Sequence, residues 1–292
     1  MDRQQLSKKA YHLQLRSKKL ADGMRNGNFK SQFKGSGIEF SGVRDYLVGD
    51  DIRAIDWNVT ARMGKPYVKV FEEMRELDVF LVIDKSFSMY TGSKKQSRLE
   101  AAMECASLIT MASLQNNFPV GAVIFDGKIN FSVPPKNGLN HAMMLLSNFN
   151  KVENSGVNGS ALDNALTGAE KLLKKSTLIF VISDFRTEGW SNAISRLSLK
   201  NDVVALRVCD PLDDELPFLG SVPFIDPETG VKEVLPTTSK RFQKAWKKNN
   251  EKNIEDWKQI CIRHGAVPFI LNTNSDVTSD LVHFFKNRER VK

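Results

Sequence analysis

The stretch DVFLVIDKSFS (78–88) decides the fold. Its first seven residues form a nearly continuous apolar run, rich in β-branched and aromatic side chains, as expected of a strand covered on both faces. It closes on Asp84, and polar residues follow at once. Four further runs share this texture: PVGAVIFD (119–126), TLIFVISD (177–184), DVVALRV (202–208) and AVPFI (266–270). Between the runs the apolar spacing is helical, over 97–116, 138–149, 160–175, 190–199, 239–264 and 276–288. Strands alternating with helices predict parallel βαβ units with right-handed crossovers. INFSV (129–133) departs from this pattern, because it follows Asp126-Gly127-Lys128 too closely for a parallel crossover. It predicts a hairpin and one antiparallel edge strand. The expected fold class is α/β: a doubly wound, mostly parallel, Rossmann-type sheet.

Working outward, the chain divides into three parts. Residues 1–34 place Leu6, Ala10, Leu13 and Leu20 at helical spacing among Lys and Arg, predicting a basic amphipathic helix over 4–25. Residues 35–76 are dense in Gly, Asp, Arg and aromatics, and YVKVFE within them alternates like a strand. Ile38, Phe40, Tyr46, Ile55, Trp57 and Tyr67 are too many apolar groups to leave in water, so their burial is expected. Residues 77–292 are the α/β domain, with a proline-rich insertion at 210–237. In the helix from Ser239, Phe242, Trp246, Ile254, Trp257 and Cys261 form a stripe that reads as core.

Charge and cysteine content exclude several classes. Of the net +8, residues 1–34 hold +7 and residues 282–292 hold +3, which leaves the middle of the chain at −2. The surplus is terminal, and a solvated helix face accounts for it better than a nucleic-acid groove does. Cys105, Cys209 and Cys261 are odd in number and far apart, so neither a disulfide framework nor a zinc site is expected. No run reaches the ~18 apolar residues of a membrane span, and MDRQQLSKKAYHLQL lacks a signal peptide's apolar stretch. The expected location is the cytoplasm.

In doubly wound sheets, ligands bind beyond the carboxyl ends of the strands where the connection order reverses. Asp84 ends the first strand and opens DKSFSM, placing Asp84, Ser86 and Ser88 on a turn past the sheet edge. Asp184 ends TLIFVISD in the same way, and Ser160 opens a helix between the two strands. Three hydroxyls and two carboxylates suit a hard cation, Mg²⁺ or Mn²⁺, which takes about six oxygens and keeps waters where protein does not reach. No His or Cys stands near in sequence to favour a softer metal. The alternative is purely structural: Ser160 as a helix N-cap with Asp163 at N3, and Ser86 and Ser88 as caps or turn residues.

This order of motifs resembles the metal-ion-dependent adhesion site of von Willebrand factor A domains. Asp84, Ser86 and Ser88 match its DxSxS, Ser160 stands where most members have Thr, and Asp184 matches the third aspartate. Upstream, GSGIEFSGVRDYLVGDDIRAIDWNVTARMGKPYVKVFEE resembles the defining segment of a bacterial family of unknown function, number fifty-eight of its series. The DDELP and DPETG stretches of the insertion match as well, while Asp45 and Val48 replace two prolines usual in that family. The resemblance implies a cytoplasmic module for protein–protein interaction, and no enzymatic activity is expected of it. Its cation would bind an acidic residue of a partner, and it would act with a MoxR-type AAA ATPase in protein assembly, maturation or chaperone-like work.

Two other classes fit less well. A phosphoryl-transfer enzyme built on Asp84 and Mg²⁺, of the haloacid dehalogenase type, wants a second Asp where Ser86 stands, and no GxxxxGK[ST] loop is present. Nucleic-acid binding would rest on the N-terminal helix, where only Tyr11, Phe29 and Phe33 interleave with the basic residues. Asp50, Asp51 and Asp56 beside Arg44 and Arg53 read as a structural ion-pair network.

Overall fold

The structure, a computed structural model, describes residues 17–18, 20–25, 33–92, 96–151, 161–225 and 232–290, with the side chains of 33–39, 41, 71–76, 222, 225, 233, 289 and 290 outside the description. Contacts divide the chain into two compact units, Gln32–Glu76 and the remainder.

In the smaller unit, β1 (Phe33–Asp45) pairs antiparallel with β2 (Tyr67–Glu76). Between them lie a 3₁₀ turn (Ile52–Ala54) and helix α1 (Trp57–Met63). The acidic knot resolves into separate jobs. Arg44 grips Asp50 with two 2.7 Å bonds, which holds that carboxyl down at about 2. Asp51 caps the 3₁₀ turn through Arg53 N, and Asp56 caps α1 through Asn58 N and Val59 N. The expected network is therefore one ion pair and two helix caps. Burial of the unit's apolar residues is only partly met. Phe40 and Trp57 are 54% and 65% exposed, whereas Tyr46, Ile55 and Tyr67 are half-buried and the Ile38 side chain lies outside the description. The strand pair offers one sheet face and a two-turn helix, too little to cover every aromatic.

The larger unit contains a six-stranded sheet. In chain order its elements are β3 (Asp78–Asp84), α2 (Arg98–Gln115), β4 (Val120–Phe125), β5 (Ile129–Lys136), α3 (Leu139–Phe149), α4 (Leu162–Leu172), β6 (Thr177–Ser183), α5 (Ser191–Ser198) and β7 (Asp202–Cys209). A hairpin, β8 (Ser221–Ile225) with β9 (Lys232–Pro236), follows, then α6 (Lys240–Arg263), β10 (Val267–Asn272) and α7 (Val277–Arg290). The sheet order is β10-β7-β6-β3-β4-β5, parallel throughout except for β5 against β4. The strand and helix expectations for this unit are met, edge hairpin included.

Apolar side chains alternate cleanly across the sheet. Val79, Leu81 and Ile83 enter one core with α2, α3 and α7, while Phe80 and Val82 enter the other with α4, α5 and α6. Such two-faced burial is why these strands read as unbroken apolar runs. The helical residues 20–25 belong to the first core: Leu20 and Met24 are fully buried, and Asn116 Nδ2 donates to Ala21 O at 2.7 Å. The expected helical residues 4–16 lie outside the described residues. On α6, Trp257 and Cys261 are buried, but Phe242, Trp246 and Ile254 are only half-buried, so the stripe is core at its C-terminal half alone. Among the described residues no helix is long and apolar enough to cross a membrane.

Candidate metal centre

From β3 the chain winds outward through β4 and β5, then returns to the other side of β3 and winds outward again through β6, β7 and β10. The connection order therefore reverses between β3 and β6, the place where doubly wound sheets bind ligands beyond the carboxyl ends of their strands. Ile83 is in register with Ile182, so Asp84 stands beside Ser183, and Asp184 is one residue further on.

Both Asp84 oxygens are engaged at one edge: Oδ1 accepts from Ser86 N at 2.8 Å and Oδ2 accepts from the Ser183 hydroxyl at 2.6 Å. Burial to 1% exposure, reinforced by the charge of Asp184, pushes the Asp84 carboxyl up to about 7 despite these bonds. Ser86 sits at the N-cap position of a 3₁₀ turn (Phe87–Tyr90), yet its side chain makes no capping bond. Its Oγ instead lies 3.2 Å from Ser88 Oγ, with both residues buried. The capping alternative thus fails for Ser86. Helix α4 starts at Leu162 with Ala161 in the N-cap position. Ser160 itself lies outside the described residues; its neighbour Ala161 donates its N–H to Asp126 O, at the end of β4, at 2.7 Å.

Asp184 is 3% exposed. Its Oδ1 accepts Arg186 N at 3.3 Å, while Oδ2 has no hydrogen-bond partner among the described residues and forms an ion pair with the Arg186 guanidinium at 3.5 Å. A buried carboxylate oxygen without a hydrogen bond is costly and marks a position that a cation would satisfy. The turn is held under strain: Phe185, non-glycine, adopts φ 53°, braced by Trp190 and Trp257 with ring centroids at 5.1 and 5.5 Å. Among the described residues no three His, Cys, Asp or Glu side chains gather as a metal cluster. The donors here are two carboxylates and two hydroxyls, all hard oxygens, which fit Mg²⁺ or Mn²⁺ and not zinc.

Sequence reasoning brought Asp84, Ser86, Ser88 and Asp184 to this edge and missed four residues around them. Ser183 had a legible signal: a hydroxyl inside an otherwise apolar strand needs a partner. Lys85, 4% exposed, donates from Nζ to the carbonyls of Asn148, Phe149 and Lys151 at the end of α3. Arg98, 3% exposed, donates to Ser88 O at 3.4 Å and to Thr91 Oγ1. Asp213, from the insertion, receives both Arg98 and Arg186. For these three no spacing rule gives a clue, since each contact joins distant segments. Cys105, Cys209 and Cys261 are buried and free, and burial raises all three thiols above their ordinary value.

Known proteins share this chain's pattern over most of its length. An uncharacterized protein of Mycobacterium tuberculosis and one of Mycobacterium bovis are each 30% identical to it over 284 residues, covering 95% of this chain and 88% of theirs. Among solved structures, an aerotolerance-related membrane protein from Bacteroides fragilis with multiple mutations to serines matches at a TM-score of 0.50 and 18% identity, over 74% of this chain and 100% of that one. The family described as Protein of unknown function DUF58 matches residues 42–256, and the chain belongs to that family.

Proposed function

We propose that the α/β unit is a von Willebrand factor A-like module that binds a partner protein through a divalent cation. Asp84, Ser86, Ser88, Ser160 and Asp184 would hold Mg²⁺ or Mn²⁺. When bound, the cation supplies an electrophilic coordination position that an acidic side chain of the partner can fill. Around it the chain's own residues do the orienting: Ser183 and Ser86 N–H fix the Asp84 carboxyl, and the strained Phe185 turn fixes Asp184. The observation that carries this reading is the convergence of Asp84, the Ser86–Ser88 hydroxyl pair and the Asp184 oxygen that accepts no hydrogen bond among the described residues, at the point where the sheet order reverses.

The partner proposed is a MoxR-type AAA ATPase, in cytoplasmic protein assembly or maturation and without catalysis by this chain. Support for it is the family membership together with the resemblance of residues 35–76 and of the insertion. Calorimetry of Mg²⁺ and of the ATPase against wild type and Asp84→Ala tests the reading, with circular dichroism as folding control. The expected result is Mg²⁺ binding and EDTA-reversible ATPase binding in wild type, with both absent from Asp84→Ala. Equal metal-dependent affinity in the two proteins would remove Asp84 from the site.

A further inference from the structure

We propose that Asp213 is a positioning residue that locks the two halves of the cation site together; the inference rests on the cation reading for its purpose, although not for its geometry. The two halves come from different strands, Ser86 and Ser88 following β3 and Asp184 following β6. Each half is tethered by an arginine, Arg98 to Ser88 O and Thr91 Oγ1, and Arg186 to Asp184. Both arginines then meet on a single atom, Asp213 Oδ1, at 2.6 Å each.

Asp213 is well placed to resist displacement. Its side chain is 13% exposed, and its other oxygen accepts Asp210 N at 2.9 Å in a reciprocal capping box that closes the turn Pro211–Asp213. Asp210 is anchored in turn, its Oδ2 accepting the buried Thr273 hydroxyl at 2.7 Å, so the clamp is fixed to the ends of β7 and β10. A shift of either half relative to the other must break one of two charge-assisted bonds to the same oxygen. This gives the DDELP stretch of the insertion a task at the site, since Asp213 is its first residue. The next residue, Asp214, bonds Asn250 instead and serves as an internal control.

Mg²⁺ affinity and metal-free amide exchange over 86–91 and 184–187 test the proposal in the full chain. Asp213→Asn is expected to weaken Mg²⁺ at least tenfold and to speed exchange in both segments, while Asp214→Asn leaves both at wild-type values. Arg186→Lys keeps the charge near Asp184 and the Arg98–Asp213 pair but loses the fork, so it tests the bridge where Asp213→Asn folds poorly. It should weaken Mg²⁺ too, and the double variant should lose no more than Asp213→Asn alone. Additive losses, or wild-type Mg²⁺ affinity in Asp213→Asn, overturn the proposal. If wild type binds no Mg²⁺ the cation reading falls, and the exchange arm then decides alone: faster exchange in both segments keeps the clamp, and unchanged exchange ends it.

Discussion

Lys85 commits its charge to a helix end. Its ammonium has three donors, and three carbonyls receive them at 2.8–3.3 Å: Asn148 and Phe149 in the last turn of α3, and Lys151 just beyond. Those last-turn carbonyls have no partner within their helix and carry the negative end of its dipole. A buried lysine is tolerated only when satisfied in this way. Lys85→Met keeps the length of the side chain and removes these three bonds, so a loss of about 2–3 kcal/mol is expected from urea unfolding. A change within about 0.5 kcal/mol would mean that water or another group replaces the ammonium. In the sequence, a lysine between Asp84 and Ser86 reads as a solvent-facing loop residue; only the fold brings it to a helix terminus 63 residues away.

Two strands meet tightly at the sheet's antiparallel edge. A Cβ on Gly121 of β4 would lie 2.6 Å from Pro135 N and 2.8 Å from Val133 O, so the edge strand β5 sits against bare backbone there. The ladder slips at that point, between Val120 and Ala122, where Pro134 and Pro135 have no N–H to donate. Gly121→Ala should destabilise by about 1–3 kcal/mol, because backbone and not a flexible side chain must yield. Gly168→Ala, inside α4, meets only Ile129 Cδ1 at 3.2 Å and should be neutral or stabilising, since alanine favours the helix. Equal effects of the two in thermal melts would show that the close approach costs nothing. The sheet and helices of the larger unit were legible because burial on two faces writes continuous apolar runs and 3.6-residue stripes. The smaller unit was less so. Gly35, Gly37 and Gly42 interrupt the alternation of β1, and α1 is a two-turn helix set by the Asp56 cap and the left-handed Gly64 instead of by an apolar stripe.

At the scale of the molecule, burying Asp84 couples folding to protons and, on the proposed function, to metal. The placing of Asp84 and Asp184 at strand ends was legible, but the proton affinity of Asp84 was not, because it comes from depth in the fold and from Asp184. Between the ordinary value of 3.8 and about 7, the folded protein keeps a proton on Asp84 that the unfolded chain has released. Folding takes up a proton in that window, so metal-free stability is greatest at its acid end and falls as pH rises through 7. At about 1.4 kcal/mol per unit, the loss is on the order of 4 kcal/mol across the window. A divalent cation bound as proposed would compete with that proton and bind only the folded state, so its stabilisation should grow as pH rises. Asp84→Asn keeps an acceptor for Ser86 N–H and removes the titrating charge. In EDTA it should show a flatter profile and exceed wild type at pH ~8, and Mg²⁺ should no longer stabilise it. Urea unfolding from pH ~5 to ~8, with EDTA or Mg²⁺, measures all three effects. Were the wild-type profile in EDTA to match that of Asp84→Asn, the carboxyl would be ionised throughout, and the two aspartates would share their sheet edge without the repulsion that a cation is here proposed to relieve.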